Sequence, residues 1–152
     1  LFGDSSRHCV RDLVDPTAVQ VGISCARWHE AIRLTARPLL RYGLIDKHYV
    51  DQMIAAVENY GPYMVLTPGV AYVHAGVDDG IKRNCTSMLV LSEPIDFGPS
   101  GDSKRIRVVV VLGIRDKEQS DLLNLASIFE RGESIRAFER CADVESILAL
   151  HD

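Results

Sequence analysis

Ile106-Arg107-Val108-Val109-Val110-Val111-Leu112-Gly113 is the stretch that decides the fold. Consecutive residues of an extended chain point to opposite faces, so four valines in succession place apolar side chains on both sides of a strand. A strand buried on both faces needs a cover above and below it, which is the habit of α/β proteins. The polar stretch 98–105, Gly-Pro-Ser-Gly-Asp-Ser-Lys-Arg, reads as an exposed loop joining this strand to an earlier one. Upstream, residues 63–66, 70–74 and 87–91 are short runs rich in β-branched and aromatic residues and are expected to be strands.

Helical patterns flank these strands. Trp28, Ala31, Ile32 and Leu39 predict an amphipathic helix over 26–41, kinked or restarted at Pro38 and ended by Gly43. Asp46 is a good N-cap for a second helix whose buried stripe is Tyr49, Val50, Met53, Ile54 and Val57, closed before Gly61-Pro62. After the last strand, Leu122, Leu125, Ala126 and Phe129 share one stripe. Ile135 with Phe138, and Val144, Ile147 and Leu148 behind the N-cap candidate Asp143, form two more. The expected fold is α/β, a single mixed β-sheet flanked by helices on both faces, in one domain over residues 1–152.

Composition bounds the function. The chain has 152 residues, 47% hydrophobic and 25% charged, with a net charge of −4. It can build a core, and its acidic balance argues against a broad grip on nucleic acid. The longest apolar run, residues 108–114, is far below the roughly 20 residues of a spanning helix. The first thirty residues carry scattered charges in place of the apolar middle of a secretory signal, and the start at Leu1 reads as a processed product or an excised domain. Cys9, Cys25, Cys85 and Cys141 stand far apart, with neither a zinc pattern nor a disulfide framework, so the expected home is a reducing cytoplasm. No dinucleotide fingerprint, P-loop or nucleophile elbow is present, and neither cofactor nor metal is expected.

Among the five histidines, His8, His29, His48 and His151 read as solvated residues of an N-terminal segment, two polar helix faces and the C-terminus. His74 differs, because it follows the strand run Val70-Ala71-Tyr72-Val73 and precedes the small pair Ala75-Gly76. Reacting groups of open α/β sheets sit outside the carboxyl ends of strands, and small neighbours let a partner approach an imidazole.

The stretch from Glu58 through Asn59-Tyr60-Gly61-Pro62-Tyr63 and Thr67-Pro68-Gly69-Val70-Ala71-Tyr72-Val73-His74-Ala75 resembles the active segment of enzyme IIA domains of the bacterial phosphoenolpyruvate-dependent sugar phosphotransferase system, in the mannitol/fructose superfamily. The ascorbate-type branch is the most similar. Trp28-His29-Glu30-Ala31-Ile32, Asp78-Asp79-Gly80 and Leu91-Ser92-Glu93-Pro94-Ile95-Asp96-Phe97 extend the likeness, from about Ala18 to His151. The resemblance implies a phosphocarrier: a histidine-containing phosphocarrier protein phosphorylates His74, and the group passes to a cysteine of enzyme IIB during sugar uptake. It implies no metal or nucleotide, and membrane contact only indirectly through enzyme IIC. Backbone N–H groups of Ala75 and Gly76 are candidate hydrogen-bond donors to the phosphoryl group. Asn59 is a side-chain candidate, although it also suits the close of its helix.

Three departures stand against the family pattern. Val73 replaces the usual proline and restores an N–H. Tyr72 is large enough to cover the site or to pack beneath a helix. Asp121 stands where many members carry a second histidine; it suits a role in orienting the His74 ring, or a plain helix-start acid. Lys82 and Arg83 suit holding phosphate or meeting an acidic partner surface but read first as a solvated basic pair, and Lys104, Arg105 and Arg107 likewise read first as loop charges. The rival functions are a phosphorylation-sensing regulatory domain of the same fold controlling a transcription factor, and a binding module with an unreactive His74.

Overall fold

The computed structural model of the chain describes residues 8–76, 80–117 and 120–152. Among these residues, β1 (Val19–Ile23), β2 (Val70–Val73), β3 (Cys85–Phe97) and β4 (Lys104–Gly113) form one sheet in the order β1-β3-β4-β2. β3 and β4 pair antiparallel, whereas β1 lies parallel to β3 and β2 parallel to β4. The sheet is therefore mixed, and the four-residue β2 is an edge.

Period-two alternation sorts the valine run between two cores. Val109 and Val111, with Leu89, Leu91, Ala71 and Val73, pack beneath α2 (Trp28–Arg41) and α3 (Lys47–Tyr60). Val108 and Val110, with Met88, Val90, Val70 and Tyr72, face α1 (Val10–Leu13), α4 (Leu122–Phe129), α5 (Gly132–Glu139) and α6 (Val144–Leu148). Helices cover both faces, as the run demands.

The α3 stripe is buried at all five expected positions, and the Asp46 carboxylate accepts the Tyr49 N–H at 2.8 Å. α2 runs unbroken through Pro38, so the helix does not restart there. A proline cannot donate to the carbonyl four residues back. Here that carbonyl, Leu34 O, accepts the Gln20 side-chain amide at 2.9 Å, so β1 supplies the missing donor.

The structure corrects other expectations. Residues 63–66 form no strand: Val65 N–H bonds to Pro62 O, and Met64 O accepts from Tyr72 N–H, so the segment turns back onto β2. Punctuation by Gly61-Pro62 on one side and Pro68-Gly69 on the other leaves too little chain for a strand. β1 has no expected counterpart, because its glycine and half-exposed positions dilute the pattern. β3 extends well beyond residues 87–91, carried past an irregularity between Val90 and Ile95. Ile135 is exposed, with Ser134, Ala137 and Phe138 making the buried face of α5.

Arg107 is no loop charge. It lies in β4, and its guanidinium donates to Leu91 O at 2.6 Å, Glu139 O at 3.2 Å and the Cys141 thiol at 2.9 Å, tying the β3 irregularity to the end of α5. Lys104 and Arg105 also belong to β4, where Arg105 pairs with Asp96 across the strands at 3.1 Å.

Gly113 closes β4 where space is short. A Cβ there would lie 2.6 Å from Cys85 Sγ and 2.8 Å from Ile45 Cγ2. Gly113→Ala is accordingly expected to destabilise the protein by about 1–3 kcal/mol through overpacking. A urea titration reads this as a lowered midpoint, and an unchanged midpoint would mean that Ile45 and Cys85 yield freely.

Candidate functional site

The parallel pairing of β2 with β4 builds the site. Val73 is in register with Val111, so the chain leaves both strands at the same end of the sheet. His74 thus emerges half-buried beside the segment that follows β4. Its Nδ1 lies 3.0 Å from Tyr72 O. A carbonyl only accepts, so Nδ1 carries the proton, and in the neutral ring Nε2 keeps its lone pair. The Tyr63 ring meets the imidazole edge-on, with centroids 6.3 Å apart, and Tyr60 meets Tyr63 in the same manner. Burial, reinforced by the neighbouring Tyr60, raises the Tyr63 phenol above its ordinary pKa, keeping it a neutral hydroxyl near pH 7.

A buried prop stands behind the histidine. Tyr49 is fully buried in α3, its hydroxyl donating to Leu112 O at 2.6 Å and accepting the Ala75 N–H at 3.1 Å. α3, the end of β4 and the residue after His74 meet at one oxygen atom. Among the donors expected for a phosphoryl group, Ala75 N–H is therefore already engaged.

His74 opens into a cavity of about 880 Å³ between α3 and the start of α4. Asn59, Ala75 and Gly76 line it with His74, so three of the four expected supporting residues share the site. Asp121 does not line it. Its side chain bonds to Asn124; burial raises its carboxyl pKa, while His8 and that hydrogen bond act the other way. The His74 ring is oriented by the backbone of Tyr72, not by Asp121. The Tyr72 side chain packs into the sheet face covered by α4, stacked on Phe129 and bonded to Thr67 at 2.7 Å, and burial pushes its phenol up to about 12. It packs beneath α4 and does not cover the site.

Arg83 is held by Asp15 at 2.9 Å and is not part of the cavity wall, nor is Lys82. Asp78 and Asp79 lie outside the described residues. Sequence reasoning missed Gln52, Ala55, Tyr63, Lys117 and Ser120, all of which line the cavity. One signal was available: 52, 55, 56 and 59 recur at helical spacing beside the buried stripe, and two of them are alanines, which hollow a helix face. The large side chains at the rim are exposed, Tyr60 by 74% and Leu123 by 75%. Among the described residues, no group of three or more His, Cys, Asp or Glu is placed to hold a metal, and no helix is long and apolar enough to cross a membrane.

The family model described as "Phosphoenolpyruvate-dependent sugar phosphotransferase system, EIIA 2" matches residues 12–151. The ascorbate-specific PTS system EIIA component of Escherichia coli (strain K12) is 22% identical over 143 residues, covering 92% of each chain. That of Mycoplasma pneumoniae is 28% identical over 128 residues, covering 82% of this chain and 79% of the relative. Among solved structures, a candidate PTS IIA domain from Streptococcus pyogenes M1 GAS superposes with a TM-score of 0.79 at 30% identity, covering 93% and 92% of the two chains. The enzyme IIA of an E. coli complex of IIAMTL with phosphorylated IIBMTL has the same fold, with a TM-score of 0.73 at 19% identity and coverage of 86% and 91%.

Proposed function

The chain belongs to the EIIA 2 family of the phosphoenolpyruvate-dependent sugar phosphotransferase system, and from that premise we propose that it is a cytoplasmic phosphocarrier for sugar uptake that holds its phosphoryl group on Nε2 of His74. The observation that carries this reading is the bond from Nδ1–H to Tyr72 O, which commits one ring nitrogen and leaves the other as a nucleophile.

In the first step the donor is the phosphohistidine of the histidine-containing phosphocarrier protein. The Nε2 lone pair of His74 forms a new N–P bond as the donor's N–P bond breaks, and the electron pair stays on the donor imidazole. In the second step a cysteine thiolate of enzyme IIB forms an S–P bond as the His74 N–P bond breaks, and Nε2 recovers its lone pair. EIIA domains pair with EIIB domains, as the complex of E. coli IIAMTL with phosphorylated IIBMTL illustrates. Ascorbate as the transported sugar is supported by the names of the relatives, and membrane contact is indirect, through enzyme IIC.

Phosphoryl transfer asks the protein chiefly for alignment and for donors around a spreading negative charge. The Gly76 N–H and Asn59 are the supporting donors in this reading. The exposed rims at Tyr60, Tyr63 and Leu123 suit two partners that dock in turn and leave quickly, through interfaces below about 1,200 Å². Asp121 acts here as a helix-start acid.

The test follows the phosphoryl group. Incubation with phosphoenolpyruvate, enzyme I and the histidine-containing phosphocarrier is expected to add one acid-labile phosphoryl group, seen by intact mass, and later addition of enzyme IIB to remove it. No mass gain with active upstream proteins overturns the carrier reading. A gain that no enzyme IIB discharges favours the phosphorylation-sensing regulatory domain.

A further inference from the structure

We propose that Lys117 is the residue that neutralises the phosphoryl group while it moves onto and off His74, a role that rests on the reading of His74 as the carrier. Among the described residues lining the His74 cavity, Lys117 is the single lysine or arginine; besides His74 itself, the polar remainder is Gln52, Asn59, Tyr60, Tyr63 and Ser120. No carboxylate lines the cavity among those residues. The Lys117 ammonium has no ion-pair partner among the described residues.

Three other basic side chains are engaged elsewhere. Arg83 is bound to Asp15, Arg105 to Asp96, and Arg107 to two backbone carbonyls and a thiol. Asp121, whose charge would repel a phosphoryl group, stands outside the lining. Among the described residues of the lining, this cation meets no opposing carboxylate, and it contributes a positive potential where the group must sit.

The chemistry needs that potential. In the transfer, negative charge spreads over the equatorial oxygens, and positioned cations stabilise it without sharing in the bonds that form and break. The His74 N–P bond forms as the donor's breaks, Nδ1 keeps its proton on Tyr72 O, and the Lys117 ammonium keeps all of its own. Lysine suits a relay because a compact charge on a flexible stem can follow the group from donor to carrier to acceptor. The topology explains how it gets there: β2 and β4 are parallel neighbours, so the segment leaving β4 starts at the same end of the sheet as His74.

The test is the rate of His74 phosphorylation by the histidine-containing phosphocarrier, from rapid-quench intact mass, for wild type, Lys117→Gln and Lys117→Arg. Lys117→Gln is expected to slow transfer about tenfold or more, because a donor to the developing charge is lost. Lys117→Arg should recover most of the rate, with both variants melting as wild type does. Added salt should slow the wild type more than Lys117→Gln, since the screened charge is absent from the variant. A Lys117→Gln rate equal to wild type, or a Lys117→Arg rate as low as that of Lys117→Gln, overturns the role of Lys117. A wild type that takes no phosphoryl group overturns the underlying carrier reading instead.

Discussion

His74→Ala is expected to fold as wild type does and to take up no phosphoryl group. The imidazole is half-buried, and its one hydrogen bond among the described residues is to the carbonyl two residues earlier, so little packing is lost. Substitutions of this kind cost about 1 kcal/mol or less. The chemical loss is total, because no other histidine lines the cavity among the described residues. His29, for example, is stacked on Trp28 and held by Glu58 at 2.9 Å. Intact mass after incubation with the upstream proteins decides the matter. A full phosphoryl gain in His74→Ala would move the acceptor elsewhere and sink the site described above.

Tyr49→Phe should damage both the fold and the site, although it removes one oxygen atom. That oxygen satisfies Leu112 O at the end of β4 and the Ala75 N–H beside His74. Removing one partner of a largely buried hydrogen bond costs about 1–3 kcal/mol, so a loss of about 1 kcal/mol or more is expected. With Ala75 released, the turn that aims the imidazole loosens, and phosphorylation should slow on the order of tenfold, as misplaced reacting groups do. Denaturant titration and the rapid-quench assay give the two readings. Wild-type values in both would show that the Tyr49 hydroxyl props nothing.

Much of the architecture was legible because its signals are local. The Val108–Val111 run demanded two covered faces, and the structure divides those four valines evenly between two cores. The α3 stripe and its Asp46 cap depend on neighbours three and four residues apart, which a sequence displays directly. The errors fell where a distant residue intervenes. Pro38 is tolerated in α2 because Gln20 supplies a donor from β1, and Arg107 is structural because Leu91, Glu139 and Cys141 converge on it. Residues 63–66 failed as a strand for a local reason, the turns on either side, which β-propensity alone concealed.

The site divides in the same way. The type of residue, the strand end that presents it and the small residues after it single out His74 from a few consecutive positions, and those positions also carry the family likeness confirmed over residues 12–151. Which ring nitrogen is free, which donors are already engaged, and that Lys117 lines the cavity while Asp121 does not were decided only by the fold. A repeat of two or 3.6 residues is written along the chain, whereas the parallel contact of β2 with β4 joins segments separated by all of β3. Such a contact is chosen by packing the whole sheet between two helical layers, and it brings His74, Tyr49 and Lys117 to one place.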